Sequence, residues 1–200
     1  MNMRERTQMS TTQPIRNGED VHKLIDYYEQ EEPNLRNHTL IIFALHTALR
    51  ISDILALRWE NVYHFEKEAY VPHLHIYEKK TGKISTLAFN QHVLQALEEY
   101  RAAREPKPGD YIFSKQNDPS HPLCRSQAYR IVKKAAEATL SEPNISCHSL
   151  RKTFGYHAWK HGVSPVLLMD VYNHSSFVIT RRYLGIDQDD RDDLFRKLDY

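Results

Sequence analysis

The sequence predicts an α+β fold, mainly α-helical with a small antiparallel β-sheet. Residues 17–30, 37–49, 90–104, 126–140 and 149–161 read as helices from their apolar spacing and from the residues that start and stop them. Against these stands one β-prone stretch, residues 62–89, with a glycine turn at its middle. The length of 200 residues, 40% apolar and 26% charged, suits one domain with a core of its own rather than a disordered chain.

Taken in order, residues 1–13 are polar and aperiodic and are expected to be a disordered leader, with a single domain over 14–200. The first helix opens near Asn17 and repeats Val21, Leu24, Ile25 and Tyr28 on one face. The second, residues 37–49, is apolar nearly all round and is expected at the core, with Arg50 directly after it. Ser52 is a candidate cap for a short helix over 53–57, which puts the Asp53 carboxylate in a first turn. Arg50 then sits at a junction between two helices. In the β-prone stretch, Leu74, Ile76, Ile84 and Leu87 flank the turn at 78–83, whose Gly82 suits a positive φ. This gives a hairpin with a basic tip that carries Lys80 and Lys83. Residues 90–104 form an amphipathic helix, 111–113 a short buried segment and 114–122 a loop. The helix over 126–140 is basic, with Arg125 just before it and Gln127 and Arg130 on it.

The densest chemistry lies between Cys147 and Ile186. His148, Arg151, His174 and Tyr183 fall there within one compact segment. Arginine offers a planar fork of donors to phosphate oxygens, histidine exchanges protons near neutrality, and an activated tyrosine hydroxyl is a nucleophile. The helix over 149–161 stops at Gly162, placing His148 at its edge and Arg151 in its first turn. Ser164-Pro165 opens a second helix that ends near Asn173, so His174 follows directly. Ser176 or Thr180 caps the turns that carry Tyr183.

Composition narrows the setting. No apolar run is long enough to span a bilayer, and no N-terminal segment resembles a signal peptide. Cys124 and Cys147 lack metal-like spacing and point to a reducing, cytoplasmic setting. The formal charge of +1 does not mark a nucleic-acid binder, yet the acids gather at Glu29, Glu31 and Glu32 and in the tail from Asp187 to Asp193. The middle of the chain is correspondingly more basic. His157 and His161 stand one helical turn apart, but a zinc site needs further ligands and none is in view.

Read together, His148-Ser149-Leu150-Arg151, then Asn173-His174-Ser175-Ser176, then Thr180-Arg181-Arg182-Tyr183 resemble, in order and spacing, the boxes of the tyrosine recombinase (phage integrase) family. Thr47-Ala48-Leu49-Arg50-Ile51-Ser52-Asp53 resembles that family's first arginine box. Ala48 and Asn173 stand where the family pattern usually has glycine. The resemblance covers nearly the whole chain from Asn17 and implies a catalytic domain without the family's N-terminal core-binding domain. It implies Arg50, Lys80, His148, Arg151, His174 and Tyr183 as catalytic residues, with Lys83 the alternative lysine and Asp53 supporting the site. It further implies double-stranded DNA as partner, DNA contacts from Lys83, Arg125, Gln127 and Arg130, and a C-terminal tail stripe of Leu194, Phe195 and Leu198 that docks on its own domain or on a neighbouring protomer. The reaction it implies cleaves and rejoins DNA through a 3′-phosphotyrosyl bond, with no metal or other cofactor. A type IB topoisomerase, or a non-catalytic DNA-binding module on the same fold, are the alternatives.

Overall fold

A computed structural model gives the architecture and describes residues 12–78, 82–142, 144–186, 192, 195 and 196. Helix α1 (Gly18–Asp26) is capped by Asn17, whose side chain accepts from the Glu19 N–H, and runs on into a π-helical turn over Tyr27–Glu31. Helix α2 (Leu35–His46) starts two residues earlier than the apolar run suggests, because Asn34 accepts from the Asn37 N–H and caps it. It is the central element: Leu40, Ile41 and Phe43 are wholly buried, and α4 (Gln91–Arg104) and α6 (Cys147–Lys160) pack against it. Thr39 bridges α2 to α4 by donating to the Leu35 carbonyl while lying 3.1 Å from the Ala96 carbonyl.

The chain leaves α2 through Ala48, at φ 56, and enters α3 (Ile51–Ile54) with Arg50 at the cap position. Ser52 is therefore inside the helix rather than its cap, and Asp53 lies in the first turn as expected, buried. The β content is divided among antiparallel pairs. Tyr63–His64 (β1) pairs with Ala69–Tyr70 (β2), and Leu74–Tyr77 (β3) pairs with Ile84–Leu87 (β4) with Leu74 opposite Leu87. Residues 114–122, expected as a loop, form a further hairpin of Ser114–Lys115 (β5) and Asp118–Pro122 (β6). Polar side chains hide it from a hydrophobicity reading, since it is held by backbone pairing and by Leu123 bonding to Phe113.

Helix α5 (Arg125–Thr139) begins with Arg125 rather than after it, because Cys124 occupies the cap and Gln127 accepts from its N–H. Helix α6 likewise starts at Cys147, capped by Ser146, so His148 lies inside the first turn and Arg151 in the second. Helices α7 (Pro165–Val171) and α8 (Phe177–Leu184) follow, with Ser164 capping α7 through the Val166 N–H as the Ser-Pro pair predicts. Among the described residues, no helix is long and apolar enough to cross a membrane.

Two cores result. The larger joins α1, α2, α4 and α5 with the strands, while a smaller one around Ala48, Leu168, Tyr172 and Leu184 joins α6, α7 and α8. Residues 12–16 run along α6, where the Ile15 N–H donates to Thr153 Oγ1 at 2.9 Å and Lys152 Nζ donates to the Thr12 carbonyl. His157 Nε2 lies 3.0 Å from the Ile15 carbonyl.

Gly155 on α6 lies close against Tyr172 of the smaller core. A Cβ there would lie 2.9 Å from Tyr172 Cε2 and 3.0 Å from Cζ, nearer than carbon atoms pack. Gly155→Ala is expected to destabilise the domain by about 1–3 kcal/mol through overpacking, despite alanine's better helix propensity. Thermal unfolding measures this, and a variant as stable as the parent would refute the tight approach.

Candidate active site

The site forms where α6, α7 and α8 meet the α2–α3 junction and the β3–β4 hairpin. Burial of Leu150 and Arg151 turns this face of α6 inward, and His148 lies one turn earlier. Arg151 is 2% exposed. Its Nη2 donates to the Tyr172 carbonyl at 3.2 Å, but its buried Nε and Nη1 bond to no described group. Burial, and then the charge of Arg50, lower its pKa from the usual arginine value. A guanidinium so placed remains a cation with two nitrogens to spare.

Tyr172 builds the floor. It is wholly buried, its hydroxyl donates to the Arg151 carbonyl at 2.8 Å, and the Arg151 guanidinium carbon lies 4.8 Å from its ring centre. Its opposite partner is His174, stacked at 5.1 Å and 20°. The chain turns from one to the other through Asn173 at φ 53. Thus both places where glycine is usual, Ala48 and Asn173, are left-handed here, a conformation asparagine tolerates better than alanine.

Tyr183 projects from α8 into this cluster, half-buried. Its ring meets His148 edge-on at 5.0 Å and His174 at 4.5 Å, and lies 6.0 Å from the Arg151 guanidinium carbon. Thr180, one turn before Tyr183 and wholly buried, sits 3.0 Å from His174 Nδ1 and fixes that ring. Burial, reinforced by the charges of Arg151, Arg50 and His148 and opposed by Glu78, holds the His174 pKa down at about 4.

Arg50 completes the cluster from the α2–α3 junction. It pairs through Nη1 with Oε2 of Glu78, a carboxylate only 1% exposed at the end of β3. Glu78 Oε1 accepts from Ser85 Oγ at 2.6 Å and from Asn173 Nδ2 at 2.9 Å.

Arg50, His148, Arg151, His174 and Tyr183 are therefore gathered in one place, from segments far apart in the chain. Lys80 lies outside the described residues. Lys83 is exposed beside β4, and Asp53 is buried in α3 near Arg50 in sequence. Arg125 and Arg130 are exposed on α5, while Gln127 spends its amide oxygen on the Cys124 N–H. Sequence reading missed Glu78, Ser85, Tyr172 and Gly155. Glu78 carried a signal: β3 alternates Leu74 in, His75 out, Ile76 in, Tyr77 out, so the next inward position is a glutamate.

Solved structures share the fold: the crystal structure of XerA recombinase superposes with a TM-score of 0.75 at 15% identity, covering 95% of this chain and 68% of that one. XerH site-specific recombinase bound to palindromic difH substrate gives 0.73 at 21% identity, covering 93% and 53%. The fold is that of a tyrosine recombinase catalytic domain. The chain belongs to the phage integrase family, whose model matches residues 17–189. It is 38% identical over 181 residues to the probable integrase/recombinase YoeC of Bacillus subtilis, covering 90% of this chain and 93% of that protein. It is 27% identical over 179 residues to a tyrosine recombinase of Pseudothermotoga lettingae, of which it spans 58%.

The His174 ring is expected to stay neutral at pH 7 and to take up its proton only as pH falls near 4, well below the usual 6.5. In the unfolded chain the same ring protonates first, so this site removes stability as pH falls between those values. NMR titration of the ring, assigned with His174→Gln, checks the value, and His174→Gln should flatten the acid loss of stability. A ring titrating near 6.5 would contradict the geometry.

Proposed function

We propose that the chain is the catalytic part of a site-specific DNA recombinase or integrase, cleaving and rejoining strands through Tyr183. Membership of the phage integrase family supports a tyrosine-type DNA strand transferase. The observation that carries the reading is Arg151, a buried cation with two nitrogens that bond to no described group, beside the Tyr183 ring. Burying a charge without a partner is costly, and a phosphate oxygen supplies the missing acceptor.

In this reading the scissile phosphate lies against Arg50 and Arg151, whose fixed charges stabilise the negative charge that develops on its non-bridging oxygens. His174 is neutral, and with the Thr180 hydroxyl donating to Nδ1, its Nε2 keeps the N–H and donates to the phosphate. Tyr183 attacks phosphorus in line and passes its proton to His148, whose ring is in edge contact with it. The bond to the 5′-oxygen breaks as the 3′-phosphotyrosyl bond forms, and Lys80, with Lys83 as the alternative, protonates the leaving oxygen. The covalent bond preserves the energy for rejoining. Asp53 supports the Arg50 junction from inside α3.

Double-stranded DNA is contacted from α5 by Arg125 and Arg130, by the free amide end of Gln127, and by Lys83. Residues 14–200 act as one catalytic domain in the cytoplasm. Self-association on DNA uses the C-terminal tail, and the apolar surface of α7 and α8 offers it a seat: Val166, Leu167, Phe177 and Val178 are all exposed.

The test is covalent trapping. A pool of duplexes with randomised cores, each nicked just beyond the candidate scissile phosphate, is incubated with the chain, and DNA-linked protein is recovered under denaturing conditions. The parent is expected to form adducts and Tyr183→Phe none, while Arg151→Ala lowers the rate by about 10²- to 10³-fold. No parental adduct across the pool, or an adduct that survives Tyr183→Phe, refutes the reading. On duplexes carrying two copies of the recovered site, truncation after Ile186 is expected to leave single-site adducts intact and abolish paired-site complexes, read by gel mobility.

A further inference from the structure

Glu78 does not belong to the set of groups proposed to touch DNA, yet three side chains of the site converge on it. Its carboxylate receives Arg50 from the α2–α3 junction, Ser85 from β4 and Asn173 from the turn after α7. Asn173 uses its amide group twice, donating to Glu78 Oε1 and to Ser85 Oγ, each at 2.9 Å. The donors to Glu78 are thus drawn from three segments, two of them remote in sequence, and Asn173 is the residue that immediately precedes His174.

The physical setting makes this more than a surface contact. Glu78 is 1% exposed and the Arg50 side chain 16%. A buried carboxylate is tolerated only where charge and hydrogen bonds compensate it. A buried group of like charges faces the same requirement: Arg50 and Arg151 repel each other across this site. Glu78 supplies the opposing charge while no phosphate is bound. Arg50 gives it only Nη1, and its other nitrogens donate to no described group, so the guanidinium is oriented without being used up.

We propose that Glu78 is a positioning residue for strand cleavage: its buried carboxylate locks Arg50 and the Asn173–His174 turn to the root of the β3–β4 hairpin, so that both phosphate donors meet one phosphate in register. This rests on the reading of the site as a DNA-cleaving centre. It assigns Asn173 a purpose as well. The left-handed backbone there suits glycine equally, but only asparagine reaches Glu78 and Ser85.

The experiment compares single-turnover cleavage of a trapped-site duplex carrying an ordinary phosphodiester with the same duplex carrying a methylphosphonate at the scissile position. The methylphosphonate lacks the negative charge that arginine serves, so a defect caused by a misdirected arginine shrinks on it, whereas general loosening of the fold does not. Glu78→Gln is expected to cleave the phosphodiester about 10- to 100-fold more slowly at saturating DNA. On the methylphosphonate its deficit should fall to about threefold or less, in parallel with Arg50→Ala. Asn173→Gly and Ser85→Ala leave the Arg50 pair in place and should show the same pattern more weakly, which carries the test if Glu78→Gln loses its cooperative melt.

Parental adducts with unimpaired or faster cleavage by Glu78→Gln overturn the proposal, the faster case marking Glu78 as a brake on Arg50. So does a deficit of equal size on both substrates while Arg50→Ala recovers. Absence of parental adducts instead removes the function reading on which the role depends, and is told apart from these by the parent alone.

Discussion

Everything in the site is arranged around one buried ring. Tyr172 has no solvent exposure, and each of its surfaces is committed: the hydroxyl to the Arg151 carbonyl, one contact to the Arg151 guanidinium, the ring face to His174, and the edge of α6 at Gly155. A rigid aromatic has few torsions to lose on burial and transmits position well. Here it fixes the distance between α6, which carries His148 and Arg151, and the turn that carries His174. Gly155 permits the approach, since a side chain there would push the two helices apart. The smaller core is therefore the mount on which the proposed reactive groups sit, while the larger core holds α2, and the exit to Arg50 joins the two through Ala48 and Leu49.

Electrostatics set the character of the place. Arginines, histidines and a tyrosine crowd a half-buried cleft, and burial keeps His174 neutral rather than adding another cation. In the proposed function such a site is poised for an anion, with donors that are fixed before the ligand arrives and need no reorganisation. Among the described residues no cluster of His, Cys, Asp or Glu suits a metal ion. The donor set itself, with guanidinium nitrogens in place of carboxylates, is suited to binding a phosphate directly. Glu78 balances the charge from beneath, out of contact with solvent.

Backbone strain marks the same region. Ala48 and Asn173 both hold left-handed conformations, and each lies within two residues of a proposed phosphate donor, Arg50 or His174. A tight reversal just before a functional side chain turns that side chain away from its own helix and into the cleft. Non-glycine residues in such turns cost about 1–2 kcal/mol, which the surrounding packing must offset. Ala48 is buried in the smaller core, and Asn173 is bonded through its side chain, so each strain has a visible counterweight.

Much of this was legible in the chain. Local chemistry determined the helices, because capping and periodicity act over a few residues: Asn17, Ser164 and the Gly162 stop all operate where their sequence neighbours predict. The spacing of His148, Arg151, His174 and Tyr183 likewise sits on short linked helices, so their grouping was readable, and Arg50 followed from its box. Boundaries moved by one or two residues where Asn34 or Ser146 capped earlier than the apolar pattern, and the polar hairpin at β5–β6 gave no apolar signal. The buried partners could not be read in the same way. Tyr172 looks like any tyrosine, Gly155 like a flaw in a helix, and Glu78 like one charge in a basic turn. Their roles depend on contacts between residues 17 to 95 positions apart, and such contacts exist only once the helices have packed. The sequence by itself determined which reactive groups the chain carries and the local elements that bear them. Only the tertiary structure decided how they are held, because burial and long-range hydrogen bonding are properties of the packed whole and leave no local periodicity to read.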